Sequence, residues 1–149
     1  MSTRTRTAVA VTAVVLLWAG FAYNMSRPAD YPAYKRTMLQ VAASAHDATQ
    51  TGRLTAQQKW ADRITTAFAR TAFDEAGQAL AGAQKKFAAQ GPPDPRSAAL
   101  RDALAPLLAQ AVTTLGDTAE ASDDGTLRAG AAHLDTLAQH LDDFITAHE

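Results

Sequence analysis

The sequence contains no cysteine, and it has only 8 glycines and 6 prolines among 149 residues. Without cysteine, the chain can form no disulfide, thiolate metal site, thiol nucleophile or acylated lipoprotein cysteine. No serine lies in a nucleophile-elbow motif, and no glycine-rich loop precedes the Lys-Ser/Thr pair that cradles phosphate. Paired carboxylates such as Asp142 and Asp143 are adjacent on a predicted helix, so they point about 100° apart. The sequence therefore predicts no enzymatic activity and no catalytic residues.

A large net charge is also missing, since 14 Lys/Arg nearly balance 15 Asp/Glu and leave a formal charge of −1. This balance provides no electrostatic footprint for nucleic acid. The charges are unevenly distributed: residues 1–101 carry 13 Lys/Arg against 6 Asp/Glu, and residues 102–149 carry 1 against 9. We expect the two halves to pack together and partly neutralise each other. Alanine is abundant, with 35 residues, and its high helix propensity favours an all-α fold.

The amino terminus has the pattern of a membrane anchor. Residues 1–7 are polar and carry Arg4 and Arg6, and residues 8–25 contain no charged side chain. A helix of that length rises roughly 27 Å, close to the ~30 Å hydrocarbon core of a bilayer. The two arginines favour a cytoplasmic amino terminus by the positive-inside tendency. We therefore predict a single-pass protein of the cell membrane, with everything after the anchor outside the cytoplasm.

Two aromatic residues near the outer end of this segment, Trp18 and Tyr23, are expected at the membrane interface. A cleavable signal peptide is the alternative, with the small-residue stretch "GFA" ending at Ala22 as the cleavage site. In that case the mature protein is secreted and begins near Tyr23. Both interpretations place the remaining chain outside the cytoplasm.

Proline, glycine and capping residues divide the remaining chain into amphipathic segments. Gly52 is expected to end the first helix, and Thr55 with Gln58 has the spacing of a capping box for the second. Asp94 followed by Pro95 is a typical start for the third. After a linker at 26–30, the predicted helices are 31–51, 55–90, 95–122 and 126–148. Short turns between four such helices predict an antiparallel up-down-up-down bundle over residues 31–149.

Each predicted helix has an apolar seam that should face the bundle core. The seam of the second helix begins with Trp60, Ile64 and Phe68 and continues, after a small phase shift, through Phe73, Ala76, Leu80, Ala83 and Phe87. The third has a heptad-like seam of Leu100, Leu104, Leu107, Ala111, Thr114 and Thr118. The last presents Leu127, Leu134, Leu137, Leu141, Phe144 and Ile145.

Three histidines, His133, His140 and His148, lie in the last predicted helix. Consecutive ones are separated by about 10.5 and 12 Å of helical rise. Nitrogen ligands lie ~2 Å from a bound zinc ion, so this spacing does not allow the histidines to share one. We therefore predict no metal site, and we expect His133 and His140 at the edge of the core face.

The first helix carries Met38 early in its seam, and the last helix begins from the acidic-glycine turn "SDDGTLRAGAAHL". This layout resembles the small extracytoplasmic b-type cytochromes, which are four-helix bundles with a methionine early in the first helix and a histidine late in the fourth. The resemblance implies haem held by Met38 and by His140 or His148. The family's histidine would fall near Ile145, so either histidine requires a shift of register. Because alanine-rich seams let helices approach closely, we expect no cofactor and keep haem or another small ligand as the alternative function.

The predicted helix lengths suggest where the bundle makes contacts. The second and third are longer than the first and fourth, so their hairpin should project about 10 Å towards the membrane. Its tip carries Lys85, Lys86, Phe87 and Arg96 around a proline-rich loop. We predict that these residues contact outer-leaflet headgroups or a membrane protein. The simpler interpretation is that Lys85 and Lys86 stabilise the helix end through its dipole.

These features predict a non-enzymatic, membrane-anchored bundle that acts through protein contacts. An accessory subunit of a membrane complex or an envelope adaptor fits this description, with an integral membrane or envelope protein as partner and no nucleic acid. Chemoreceptor sensor domains are also extracytoplasmic four-helix bundles, but they need a second membrane helix to pass a signal inward. None follows the predicted bundle in this sequence.

Overall fold

The computed structural model describes residues 30–149, and these residues form four α-helices with no strand among them. The helices are α1 (Tyr31–Trp60), α2 (Thr66–Ala89), α3 (Pro95–Glu120) and α4 (Asp124–His148). The prediction of an all-α four-helix bundle is confirmed for this part of the chain. None of these four helices is both long and apolar enough to cross a membrane. The predicted anchor, with Trp18 and Tyr23, lies outside the described residues.

Each helix begins at a side chain that accepts a hydrogen bond from the main-chain N–H three residues ahead. Such a cap satisfies one of the N–H groups that the first turn of a helix leaves without a partner. The predicted cap is confirmed at Asp94, whose Oδ1 lies 2.8 Å from the main-chain nitrogen of Ser97. The other three caps are Asp30, Thr65 and Asp123.

The first helix is longer than predicted because it does not end at Gly52. This glycine is buried, and no glycine in the described residues has a positive φ. A Cβ at Gly52 would overlap the side chain of Leu115 and lie 3.2 Å from Cδ1 of Leu134. The glycine therefore permits a close approach of α3 and α4, and α1 continues through it for 30 residues.

The turn between α1 and α2 lies at residues 61–65, inside the segment predicted to be the second helix. Asp62 in this turn has a φ of 53°, a left-handed conformation that aspartate adopts more readily than most residues. The predicted capping box at Thr55 and Gln58 is wrong, since both residues lie within α1. Thr65 caps α2 instead, through a hydrogen bond from the main-chain N–H of Phe68.

The core contains apolar residues from all four helices. On α4 the predicted seam is confirmed, with Ile145 half-buried and the rest buried: Leu127, Leu134, Leu137, Leu141 and Phe144. On α2 the seam is buried at Phe73, Ala76, Leu80 and Ala83 and half-buried at Phe87, whereas Phe68 is 62% exposed. The Phe68 prediction is wrong because the turn at 61–65 separates it from the helix that carries Trp60. Trp60 and Ile64 are half-buried.

The buried seam of α3 drifts from the predicted heptad. Leu108 and Leu115 are buried where the heptad placed Leu107 and Thr114, which are half-buried. A straight α-helix has 3.6 residues per turn, so a strict seven-residue spacing rotates by about 20° per repeat relative to the buried face. The buried positions of α3 follow the helical period instead.

Helix α1 packs against all three other helices, whereas the main chains of α2 and α4 do not approach each other closely. Its first turns lie beside the end of α4, where Lys35 Nζ donates to the main-chain oxygen of Glu149 at 3.0 Å. Further along, Arg53 Nε lies 3.4 Å from Asp135 Oδ1. Residue numbers rise along α1 as they fall along α4, so these two helices are antiparallel.

The cap of α4 gives a prediction about acid stability. The side-chain hydroxyl of Thr126, and then its main-chain N–H, donate to the Asp123 carboxylate and hold the pKa of Asp123 below its usual value of 3.8. A lowered pKa in the folded state stabilises the fold above the unfolded pKa, and this contribution is lost as pH falls through the folded pKa. We expect Asp123→Asn to be less stable than the wild type at neutral pH, with the difference shrinking below about pH 4.

Urea unfolding at several pH values measures this difference in the free energy of unfolding. Thr126→Ala should reproduce the pH dependence, and a pH-independent difference for both variants would contradict it.

Candidate functional site

The start of α1 and the start of α3 meet at one end of the bundle. We call it the basic end after its exposed Arg36, Lys85, Lys86 and Arg96, and the end of α4 adds the exposed acidic Asp142, Asp143 and Glu149 beside them. There the Arg96 guanidinium lies 3.9 Å from the centre of the Tyr31 ring, in cation–π contact. Lys86, at the end of α2, donates to Gln40 Oε1 on α1 at 2.7 Å. The contacts therefore fix the α2–α3 connection against the first turns of α1.

A second arginine fixes the α2–α3 connection from the inside. Arg101 on α3 donates through one guanidinium nitrogen to the carbonyl oxygens of Phe87, at 3.0 Å, and of Gln90, at 2.6 Å. The same guanidinium lies 4.2 Å from the centre of the Phe87 ring. The carbonyl of Gln90 lies just beyond the last turn of α2 and finds its donor here, and the Phe87 carbonyl gains a second donor besides the main-chain N–H of Gln90.

The predicted projection of the α2–α3 hairpin is wrong. Helix α2 has 24 residues and α3 has 26, whereas α1 has 30. The extra length belongs to α1, because the turn occurs at 61–65 instead of Gly52. The predicted contact residues Lys85, Lys86, Phe87 and Arg96 are still close together in the structure, at the basic end. Phe87 is half-buried and the other three are exposed.

The histidines of α4 do not form a cluster. His133 and His140 are exposed, and His148 is half-buried, with its Nδ1 2.7 Å from the carbonyl oxygen of Phe144. A carbonyl oxygen only accepts, so Nδ1 carries the proton in that bond. The His148 ring also packs against the Phe144 ring, with centroids 4.4 Å apart. Within residues 30–149 no group of three His, Cys, Asp or Glu side chains is placed to hold a metal.

Met38 and the histidines proposed for haem lie in different environments. Met38 is completely buried in the core, whereas His140 is exposed on the outer face of α4. One turn before Met38, Tyr34 is also completely buried, and its hydroxyl has no hydrogen-bond partner. A haem slot would have to separate helices that are packed here, so haem binding remains a prediction from the resemblance alone.

Two smaller depressions lie away from the predicted contact residues. One of about 200 Å³ lies between α3 and α4 beside Gly130 and His133. Another of about 330 Å³ lies beside Lys35, Leu39 and Glu149, where α1 begins and α4 ends. Neither is lined by Met38 or His148.

A longer groove, which the sequence did not predict, runs between α2 and α3. Its middle part has a volume of about 510 Å³ and an apolar floor that includes Phe73, Leu80 and Leu115. Its walls are made largely of small residues, Gly77 and Ala81 on α2 and Gly116 and Ala119 on α3. Val112, also in the wall, is 39% exposed. The groove exists because few large side chains fill the space between these two helices.

The groove continues towards the end of the bundle opposite the basic end. This second part, also about 510 Å³, shares Phe73, Asp74, Gly116 and Ala119 with the first and is lined by three further charged residues. Of its four charged residues, Lys59 and Arg70 are basic, and Asp74 and Glu120 are acidic. None of the four takes part in an ion pair within residues 30–149.

Helical glycines in the groove were the one sequence signal that could have revealed it. A Cβ at Gly77 or at Gly116 would meet nothing within 4 Å. Glycine inside a helix is less stable than alanine by roughly 0.5–1 kcal/mol. These two glycines therefore weaken their helices without allowing a closer contact inside the chain.

Comparison of this chain with protein-family models, with curated proteins and with solved structures gives no match. No related protein therefore suggests a function. The surfaces described above, the basic end and the α2–α3 groove, are the features from which a function can be argued.

Proposed function

We propose that this protein is a single-pass membrane protein whose helical bundle lies outside the cytoplasm and acts through protein contacts. An accessory subunit of a membrane complex or an envelope adaptor is the role that fits. The partner is an integral membrane or envelope protein, and the bundle catalyses no reaction. Residues 8–25 form the anchor in this proposal.

The observation that carries the proposal is the stacking of Arg96 on Tyr31 at 3.9 Å. It places the α2–α3 connection at the same end of the bundle as the start of α1. An anchor ending at Met25 leaves only a short linker before α1, so this end would face the membrane. The exposed cations near the Arg96–Tyr31 contact would then face it as well: Arg36, Lys85, Lys86 and Arg96.

Basic residues beside a membrane act on acidic headgroups and on acidic loops of membrane proteins. Phe87, half-buried beneath Arg101, keeps the loop in one shape and contributes little exposed apolar surface. Contact at this end would thus be mainly electrostatic. A partner with an acidic patch opposite Lys85, Lys86 and Arg96 is favoured over insertion of the loop into lipid. The exposed Asp142, Asp143 and Glu149 of α4 at the same end limit that patch to the α2–α3 side.

The proposal predicts that a membrane protein accompanies the full-length chain. We would purify tagged protein from native membranes in mild detergent and identify co-purifying proteins by mass spectrometry. A triple variant, Lys85→Gln, Lys86→Gln and Arg96→Gln, should reduce partner recovery about tenfold or more, since each such charge contributes ~1 kcal/mol near an anionic surface.

The matched control removes three charges at the other end of the bundle, by Lys59→Gln, Arg63→Gln and Arg128→Gln. Arg128 lies 5.0 Å from the centre of the Trp60 ring, so each triple variant also loses one cation–π contact. Equal losses from both triples would contradict contact through the basic end. If the protein were recovered only from the medium, with its first residue near Tyr23, it would be a secreted protein and the anchored interpretation would be wrong.

A further inference from the structure

The groove between α2 and α3 carries charges at both ends. At the end opposite the basic end, Arg70 of α2 and Glu120 of α3 line the same cavity. Towards the basic end, the exposed Lys85 follows the wall residue Ala81 by one turn of α2, and the exposed Asp102 lies five turns before Glu120 on α3. At 3.6 residues per turn, each of them therefore shares a helix face with a residue that lines the groove. They lie at similar heights, because the neighbouring residues Phe87 and Arg101 are bonded to each other. Apart from Asp74, the groove face of α2 is thus basic near both ends, and that of α3 is acidic near both.

These charges are not used inside the chain. No ion pair within residues 30–149 involves Arg70, Lys85, Asp102 or Glu120. All four side chains are exposed. Between them the groove presents the exposed Val112 and the small residues that line its walls. A partner for this face needs an acidic helix opposite α2 and a basic helix opposite α3.

A second copy of the same chain meets this requirement. We propose that two copies associate in parallel through their α2–α3 faces, related by a two-fold axis along the bundle. Rotation about that axis keeps every residue at its own height and brings α2 of one copy opposite α3 of the other. Arg70 then faces Glu120 of the second copy, and Lys85 faces Asp102 of the second copy, at both symmetry-related positions. Asp74, one turn from Arg70, is the one acidic residue of α2 in the groove, and Lys59 beside it supplies a compensating charge.

The charge pattern also selects the parallel arrangement over the antiparallel one. A two-fold axis perpendicular to the bundle would place α2 opposite α2 with heights reversed. Arg70 would then face Lys85 of the second copy, and Glu120 would face Asp102. Like charges held opposite each other oppose association. The parallel dimer is also compatible with two chains anchored in one membrane, although the charge argument does not depend on an anchor.

The small residues of the groove complete the fit. Gly77 and Gly116 have no neighbour within 4 Å of where a Cβ would lie, so their helix surfaces are open to a close approach from outside. Four helices, two from each copy, would enclose Val112 and the apolar floor of the groove. Lys85 belongs both to the dimer contact and to the basic end, whereas Lys86 and Arg96 stay free for the partner of the proposed function. The test below therefore changes Arg70 and Glu120, which lie at the other end of the groove.

The proposal is tested by exchanging the charges at positions 70 and 120 between two copies. Full-length protein carrying two different tags is co-expressed, and recovery of the second tag is measured after purification on the first. Wild-type copies should recover each other. When both copies carry Arg70→Glu, or both carry Glu120→Arg, recovery of the second tag should fall at least about tenfold. Each such homodimer contains two like-charge contacts.

Arg70→Glu co-expressed with Glu120→Arg should restore recovery to near the wild-type level. In that mixed dimer, both contacts between copies are again between opposite charges. Like-charge repulsion inside one chain would not be relieved by mixing, so the restoration distinguishes a dimer contact from a folding defect. Absence of wild-type association, unchanged recovery of the single variants, or failure of the mixed pair to recover would each overturn the proposal.

Discussion

Replacing Gly130 by alanine is expected to lower the free energy of unfolding by about 1–3 kcal/mol, the usual effect of overpacking a core. A Cβ at Gly130 would overlap Oγ1 of Thr118 and lie 2.8 Å from its Cγ2 and 3.0 Å from its Cβ. Thr118 is buried and cannot easily turn away, because its hydroxyl donates to the carbonyl oxygen of Thr114 at 2.6 Å. Relief of the overlap therefore requires α3 and α4 to separate.

The matched control is Gly82→Ala on the exposed face of α2. A Cβ at Gly82 would meet nothing within 4 Å. Alanine there should raise the free energy of unfolding by roughly 0.5–1 kcal/mol through helix propensity alone. The same substitution is thus expected to lower the free energy of unfolding at one site and to raise it at the other. Urea unfolding followed by circular dichroism measures both changes. Stabilisation at both sites would mean that α3 and α4 are not in the close contact described.

Replacing Tyr34 by phenylalanine is expected to raise the free energy of unfolding by about 1–3 kcal/mol. The hydroxyl of Tyr34 is buried without a hydrogen-bond partner, whereas in the unfolded chain water would satisfy it. An unsatisfied buried polar group destabilises the fold by its full desolvation penalty, which is of that size. Phenylalanine keeps the ring that packs in the core and removes the hydroxyl.

Tyr31→Phe on the same helix is the control. Tyr31 is half-buried, with its ring under Arg96. Loss of its hydroxyl should change the free energy of unfolding by less than about 0.5 kcal/mol, as is usual for surface substitutions. If Tyr34→Phe destabilised the protein instead, the Tyr34 hydroxyl would have to form a hydrogen bond in solution, for example to a buried water.

The sequence was sufficient to predict four helices because the local signals agree with one another. Asp94 and Pro95 mark the start of α3, and Asp123 and Asp124 before Gly125 mark the start of α4. The leucine spacing of α4 follows the helical period throughout, so its buried face was predicted correctly. In these helices local propensity, capping and burial all favour the same structure.

The turn between α1 and α2 could not be predicted because a tertiary contact overrides the local signal. Glycine at position 52 is typical of a helix end, yet here its small size is required where α1 crosses Leu115 and Leu134. The actual turn at 61–65 contains neither glycine nor proline. Its signals were weak: Thr65 as a cap, and the phase shift between Phe68 and Phe73.

The prediction of the contact surfaces depended on the position of that turn. With α2 wrongly extended back to residue 55, the α2–α3 hairpin was expected to project, and Arg96 was placed on an exposed tip. The groove was missed for another reason, since Arg70 and Glu120 are far apart in sequence and become neighbours only when α2 and α3 are paired. The residue identities at the basic end were predicted, whereas their packing against α1 was not.

Helix α1 is both the first helix of the bundle and the one that contacts the other three. A mechanical load that reached the bundle from the amino-terminal side would enter through this helix. Because α1 is held laterally by α2, α3 and α4 along its length, the load would be shared among three interfaces before any one of them separated. If the chain is anchored as proposed, the attachment would therefore enter the bundle at the helix that the other three hold.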